Sequence, residues 1–156
     1  MNHSKNLGLE LHTLLSRLER AGDQILRTGH GLSYRRFMVL VMLGELGVST
    51  QRALADSLAV TEPSMSRMVA ALAETGLLTV APDPAGGNRR QIALTDTGRA
   101  LVEQAGTDLI RRLTELVEST GVPFDTYLAH TRQLNAALDS PGTRAAHRDT
   151  HHIPRS

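Results

Sequence analysis

Residues Ser49 to Thr95 constrain the fold of this chain more than any other stretch. They read STQRALADSLAVTEPSMSRMVAALAETGLLTVAPDPAGGNRRQIALT. A helix is expected from about Thr50 to Ser57, with Leu54 and Leu58 on one side, Ala55 beside them, and a bend at Ala59 and Val60. Thr61 is placed to cap a second helix, because its hydroxyl accepts from the free amides of the first turn. Pro63 falls in that turn, where a missing N–H costs nothing. The second helix runs to Gly76, a residue that tolerates the left-handed backbone at a helix end. Two helices joined so closely form a helix-turn-helix, whose second helix lies in a DNA major groove.

On that second helix Met65, Met68, Val69 and Leu72 form the core stripe. Ser64, Arg67 and Ala71 then fall along one outer line, with Ser66 and Ala70 beside it. Small outer residues let a helix seat deeply, serine bonds base edges or phosphate, and Arg67 is the long cationic donor suited to guanine. The candidate DNA contacts are therefore Thr61, Ser64, Ser66, Arg67 and Ala70, joined by Thr50 and Gln51 at the start of the first helix. Beyond Gly76, LLTVAP and RQIALT have strand character, and DPAGGN between them supplies the Pro and Gly of a tight connection. A hairpin directly after a recognition helix is a wing, and Arg89 and Arg90 near its tip can reach phosphate or the minor groove.

The flanking segments are helical. From Leu7 to about Thr28, Leu7, Leu11, Leu14, Leu15, Leu18 and Ile25 recur at helical spacing, and Gly29 and Gly31 are expected to end that helix around His30. Ser33 caps SYRRFMVLVMLGEL, which is apolar nearly all round and so belongs inside a domain. Thr95 caps DTGRALVEQAGTDLIRRLTELVES, which Gly121 and Pro123 break, and a last helix is expected from about Pro123 to Leu138. The fold class is mainly α: a winged helix-turn-helix with a small β-hairpin. Residues 33–96 form the DNA-binding domain, 1–32 and 97–139 a helical dimerisation region, and the polar residues 140–156 a disordered tail.

A net charge of +1 is not that of a nonspecific nucleic-acid coat, and the tail from Ser140 is +2, which leaves −1 on the rest, so DNA binding must rely on locally placed arginines. With no cysteine, a disulfide frame, a thiolate metal site and a thiol redox switch are all excluded. No stretch approaches the ~20 apolar residues of a membrane span, and Met1 to Lys5 is polar with no apolar signal segment behind it, so a cytoplasmic location is expected. No nucleophile elbow or P-loop occurs, and DPAGGN lies in a hairpin rather than before a helix. Neither enzymatic activity nor a cofactor is expected.

The order of elements resembles the MarR family of bacterial transcription regulators from Leu7 to Leu138. The likeness is carried by LSYRRFMVLVML ahead of the motif, LADSLAVTEPSMSRMVAALAETGLL through it and ALTDTGRAL after the wing. It implies a two-fold homodimer held by the first and last helices, reading a palindromic operator, more in the manner of a repressor. It also implies a small aromatic or anionic effector in a cleft between dimer region and winged domain, for which His12, His30, Tyr34 and Arg36 are the candidate contacts. At the wing tip the family has an acidic residue closely followed by Arg, whereas Gly86, Gly87 and Asn88 occupy that ground here and the arginines come later.

Several residues admit a second reading. Ser64 and Ser66 can be solvent-facing, and Arg67 can pair with Glu62 or Glu74 instead of DNA. Arg35 and Arg36 can contact phosphate, line an effector cleft or form solvated ion pairs. His12, His30 and His130 can be polar residues satisfied at helix ends. His147, His151 and His152 raise a metal-responsive regulator, but without cysteine or regular ligand spacing no metal site is indicated. Because Glu62, Arg67 and Glu74 leave the recognition helix at −1, a winged-helix interaction or ligand-binding module without DNA recognition is the competing class.

Overall fold

The computed structural model describes residues 3–84, 86 and 89–139. Six helices and one hairpin follow in the order α1 (His3–His30), α2 (Tyr34–Leu46), α3 (Gln51–Ser57), α4 (Glu62–Glu74), β1 (Leu78–Pro82), β2 (Arg90–Leu94), α5 (Asp96–Ser119) and α6 (Phe124–Asp139). Two compact units divide between Leu109 and Ile110.

The first unit is built on an aliphatic core. Leu26, Val39, Leu40, Leu43, Leu54, Met65, Leu72 and Ile92 are its largest fully buried side chains, drawn from α1 to α4 and the hairpin. The helix starts are set by hydroxyls, as the sequence requires. Ser33 Oγ accepts from Arg36 N at 3.4 Å, Thr50 Oγ1 from Ala53 N at 3.2 Å and Thr61 Oγ1 from Ser64 N at 3.4 Å. Pro63 lies in the first turn of α4. At its other end Gly76 adopts φ 71°, its amide bonds Ala73 O and the Leu77 amide bonds Leu72 O, so two carbonyls left over by the helix are satisfied.

The bend between α3 and α4 uses the same pair of bonds without a glycine. Ala59 N donates to Asp56 O and Val60 N to Ala55 O, which holds Ala59 at φ 51°. That backbone is disfavoured for any residue with a Cβ. The tertiary arrangement of the two helices therefore imposes the turn against local preference.

β1 and β2 pair antiparallel with Leu78 opposite Leu94, Val80 opposite Ile92 and Pro82 opposite Arg90. A further bridge, not evident in the sequence, ties Ser49 to the outer side of β2: Ser49 N donates to Ile92 O at 3.0 Å and Ile92 N to Ser49 O at 2.8 Å. Ile92 is thus held on both sides, and the wing is anchored to the residue just before Thr50, the cap of α3. Thr95 then joins wing to helix. Its hydroxyl donates to Gly76 O at 2.7 Å and accepts from Gly98 N at 3.0 Å.

Two expectations for α1 need correction. The helix continues through Gly29 to His30 and stops only at Gly31, which has φ 65°. Its core contact is Leu26, absent from the apolar stripe read in the sequence, while Leu7, Leu11, Leu14 and Leu15 of that stripe are exposed. At about 100° per residue Leu26 falls within about 20° of Leu15, so the two share a face and differ in position along the helix: the late part of α1 reaches the core and the early part does not.

In the second unit, the end of α5 turns at Thr120 and Gly121 into α6, with Thr120 N bonded to Val117 O and Gly121 N to Glu118 O. Ile110, Leu116, Leu134 and Leu138 are exposed on these helices. An exposed pair, Arg111 Nη1 and Glu115 Oε1, lies 2.9 Å apart. The tail from Ser140, with His147, His151 and His152, lies outside the described residues, as do Gly87 and Asn88 at the wing.

Candidate nucleic-acid interface

The outer face of α4 is fixed by what its inner face buries. Met65, Val69 and Leu72 are in the core, and the helical repeat then turns Ser66, Arg67 and Ala70 to solvent. Ser64 is half-buried at the edge of this face, and Arg67 Nη2 donates to its Oγ at 3.4 Å. Among the described residues Arg67 forms no ion pair, with Glu62, Glu74 or any other carboxylate. A guanidinium so placed has most of its donor fork available to a base edge or phosphate.

Thr50, Gln51 and Thr61 lie beside this face with their polar groups partly engaged. The Thr50 and Thr61 hydroxyls accept from helix amides and keep a hydrogen to donate. Gln51 Nε2 donates to Glu62 O at 3.3 Å, tying the start of α3 to the start of α4. In the wing, Arg89 and Arg90 are exposed. The hairpin is closed beneath them by Asp83 N bonding Arg89 O at 2.9 Å and by Gln91 Nε2 bonding Asp83 Oδ1 at 3.2 Å.

A cleft of 290 Å³ opens at the edge of α4 toward the start of α2. Ser33, Arg35 and Arg36 line one side, and Val60, Ser64, Arg67 and Met68 the other. Sequence reasoning left Arg35 and Arg36 with three alternatives. The structure puts them beside Arg67, and spacing along the chain carries no signal of that meeting.

The four candidate effector contacts face different surroundings. Tyr34 is half-buried with its ring over α1, where a Cβ added at Gly22 would lie 2.9 Å from Tyr34 Cδ2. Burial pushes its phenol above the ordinary tyrosine value, and Glu19 adds to the effect. Asp23 Oδ1 accepts from Tyr34 N at 2.9 Å and its Oδ2 from Arg27 Nε at 2.5 Å, bonds that hold the Asp23 carboxyl below the usual range, the Arg27 bond most. Arg36 lies instead in the cleft on α4. His12 is exposed on α1 and His30 is half-buried at its last position. Among the described residues no three His, Asp or Glu side chains are grouped to hold a metal, and no helix is long and apolar enough to cross a membrane.

A model of the MarR family matches residues 30–87, from the end of α1 to the wing. An HTH-type transcriptional regulator of Mycobacterium tuberculosis is 34% identical over 74 residues, which are 47% of this chain and 52% of that protein. The chain spans about half the length of the curated relatives it matches. Among solved structures, a MarR-family transcriptional regulator from Rhodococcus sp. RHA1 superposes with TM-score 0.78 at 25% identity, covering 90% of this chain and 99% of that one. A mutant MarR from E. coli, complexed with operator DNA, gives TM-score 0.69 at 23% identity over 85% of this chain and 94% of its own. The last is a likeness of fold.

Proposed function

We propose, on the premise of the MarR-family match over residues 30–87, that the protein is a MarR-family transcription regulator, a repressor, that binds a palindromic operator as a homodimer. The observation that carries the reading is the solvent face of α4, where Ser66, Arg67 and Ala70 stand clear of the core and Arg67 has no carboxylate partner among the described residues. In this reading α4 enters the major groove, Arg67 bonds a base edge, Ser64, Ser66 and Thr61 bond bases or phosphate, and Thr50 and Gln51 approach the backbone. Arg89 and Arg90 hold the flanking duplex. The operator complex of the E. coli neighbour supports this use of the shared fold.

Dimerisation is supported by the apolar surface left on the helices at both ends of the chain. Leu7, Leu9, Leu11 and Leu15 on α1, and Leu134 and Leu138 on α6, are exposed to an extent that a lone soluble domain seldom tolerates. A second copy covering them gives two recognition helices, and two half-sites about one helical turn apart. A small aromatic or anionic effector that weakens DNA binding completes the proposal, with His12, His30 and Tyr34 as candidate contacts; Arg36 lines the cleft on α4 instead.

The test is the substitution Arg67→Ala. Loss of about 1–3 kcal/mol on the cognate operator, with little change on mixed-sequence DNA, is the expected outcome. Equal loss on both makes Arg67 a phosphate contact and removes the base-reading role.

A further inference from the structure

We propose that the cleft between the start of α2 and the edge of α4 seats one backbone phosphate of the operator in each half-site. Arg35 and Arg36 then form a third DNA contact, beside the recognition helix and the wing. The proposal rests on the DNA-reading role given to α4 above.

Three arginines, Arg35, Arg36 and Arg67, are among the residues that line this cleft, and no acidic residue is. Among the described residues none of the three is in an ion pair. Like charges gathered from two elements repel one another unless an anion lies among them, and the planar fork of arginine fits phosphate oxygens in pairs. Two hydroxyls complete the lining. Ser33 Oγ accepts from Arg36 N and Ser64 Oγ from Arg67 Nη2, so each retains its hydrogen for an anionic oxygen.

The position of the cleft selects the source of the anion. Ser64 and Arg67 belong both to the cleft and to the edge of α4, and a helix lying in a major groove has a phosphate strand along each side. An oxyanion reached from that edge, while α4 stays in the groove, is a backbone phosphate. All three arginines are exposed, which suits an anion delivered at high local concentration by DNA already held elsewhere better than a free ion that must bind by itself.

The experiment measures operator affinity of the full-length dimer by fluorescence anisotropy across a potassium chloride series, for wild type, Arg35→Ala/Arg36→Ala and Arg35→Lys/Arg36→Lys. Each phosphate contact contributes about 0.9 to the slope of log affinity against log salt, so losing one per half-site makes the alanine variant shallower by about 1.8. Cognate and mixed-sequence DNA should weaken by the same factor, and the lysine variant should recover the slope. A control, Arg17→Ala/Arg132→Ala, removes the same charge from exposed positions on α1 and α6 and should leave the slope unchanged. A steep wild-type slope that the alanine variant retains overturns the proposal, as does an equal reduction in the control. Inorganic phosphate titrated without DNA separates the other source: binding lost in the alanine variant, with no change in salt slope, would make the cleft a free-anion site and also overturn it. If a verified wild-type dimer binds no DNA even at low salt, the DNA-reading role itself fails and takes this proposal with it.

Discussion

Replacing Gly98 by Ala should destabilise the protein, although helix propensity favours the change by about 0.5–1 kcal/mol. Gly98 is buried in the first turn of α5, and a Cβ there would stand 2.0 Å from the carbonyl oxygen of Leu77 and 3.3 Å from Leu94 Cδ2. The first separation is far inside contact, and its partner is backbone that cannot rotate away. The start of α5 must move outward by roughly an ångström, which pulls on the bond from Thr95 N to Leu77 O at 3.2 Å and on that from Thr95 Oγ1 to Gly76 O at 2.7 Å. Two hydrogen bonds at about 1 kcal/mol each, with about 1–3 kcal/mol of overpacking, outweigh the propensity gain and leave a net loss of about 3 kcal/mol. Urea unfolding at fixed protein concentration measures it directly. Gly106 in the same helix is the control, because a Cβ there meets nothing closer than Phe37 Cζ at 3.9 Å; Gly106→Ala should stabilise by about 0.5–1 kcal/mol. A Gly98→Ala protein as stable as wild type would refute the close approach of α5 to Leu77.

Ala59→Gly should stabilise by about 0.5–1 kcal/mol, since relief of the left-handed backbone at Ala59 exceeds the added freedom of the unfolded chain; a lower urea midpoint would count against the strained bend. Asp23 titrates below its ordinary value when folded, so its ionised form contributes stability that is fully present above about pH 3.9 and is lost as pH falls through the folded value. The stability gap between wild type and Asp23→Asn should therefore close on acidification, and a gap independent of pH would detach it from the Arg27 and Tyr34 bonds. Leu11→Glu/Leu15→Glu places charge on the exposed apolar face of α1 and should yield monomers in analytical ultracentrifugation with the helical spectrum retained; an unchanged dimer would move the interface elsewhere.

What the sequence discloses here is mostly local. Ser33, Thr61 and Thr95 declare the helix starts because a cap bonds an amide two or three residues away, and Gly76 declares the end of α4 for a similar reason; Thr50, read as the first residue of α3, is its cap instead. The strands declare themselves through alternation, with Ile92 and Leu94 buried. Features that depend on distant parts of the chain stay hidden. A bridge at the single residue Ser49 has no period to detect. The left-handed Ala59 carries no glycine signature, because the helices on either side impose the conformation. Gly98 reads as an ordinary helix residue until the Leu77 carbonyl is seen against it. Leu26 is hidden in a helix whose early leucines are exposed and of whose leucines it alone is fully buried. For the candidate site the same division holds: the exposed side of α4 follows from its buried stripe, whereas the meeting of Arg35 and Arg36 with Arg67 follows only from the packing of α2 on α4.

The claim that α4 reads a palindromic operator is tested most directly by incubating the protein with sheared genomic DNA of its source at low salt, recovering the retained fragments and sequencing them. A short inverted repeat, with half-sites about one helical turn apart, should be enriched by wild type and lost with Arg67→Ala. Uniform recovery of fragments with no shared repeat, by a protein verified as dimeric, would contradict it.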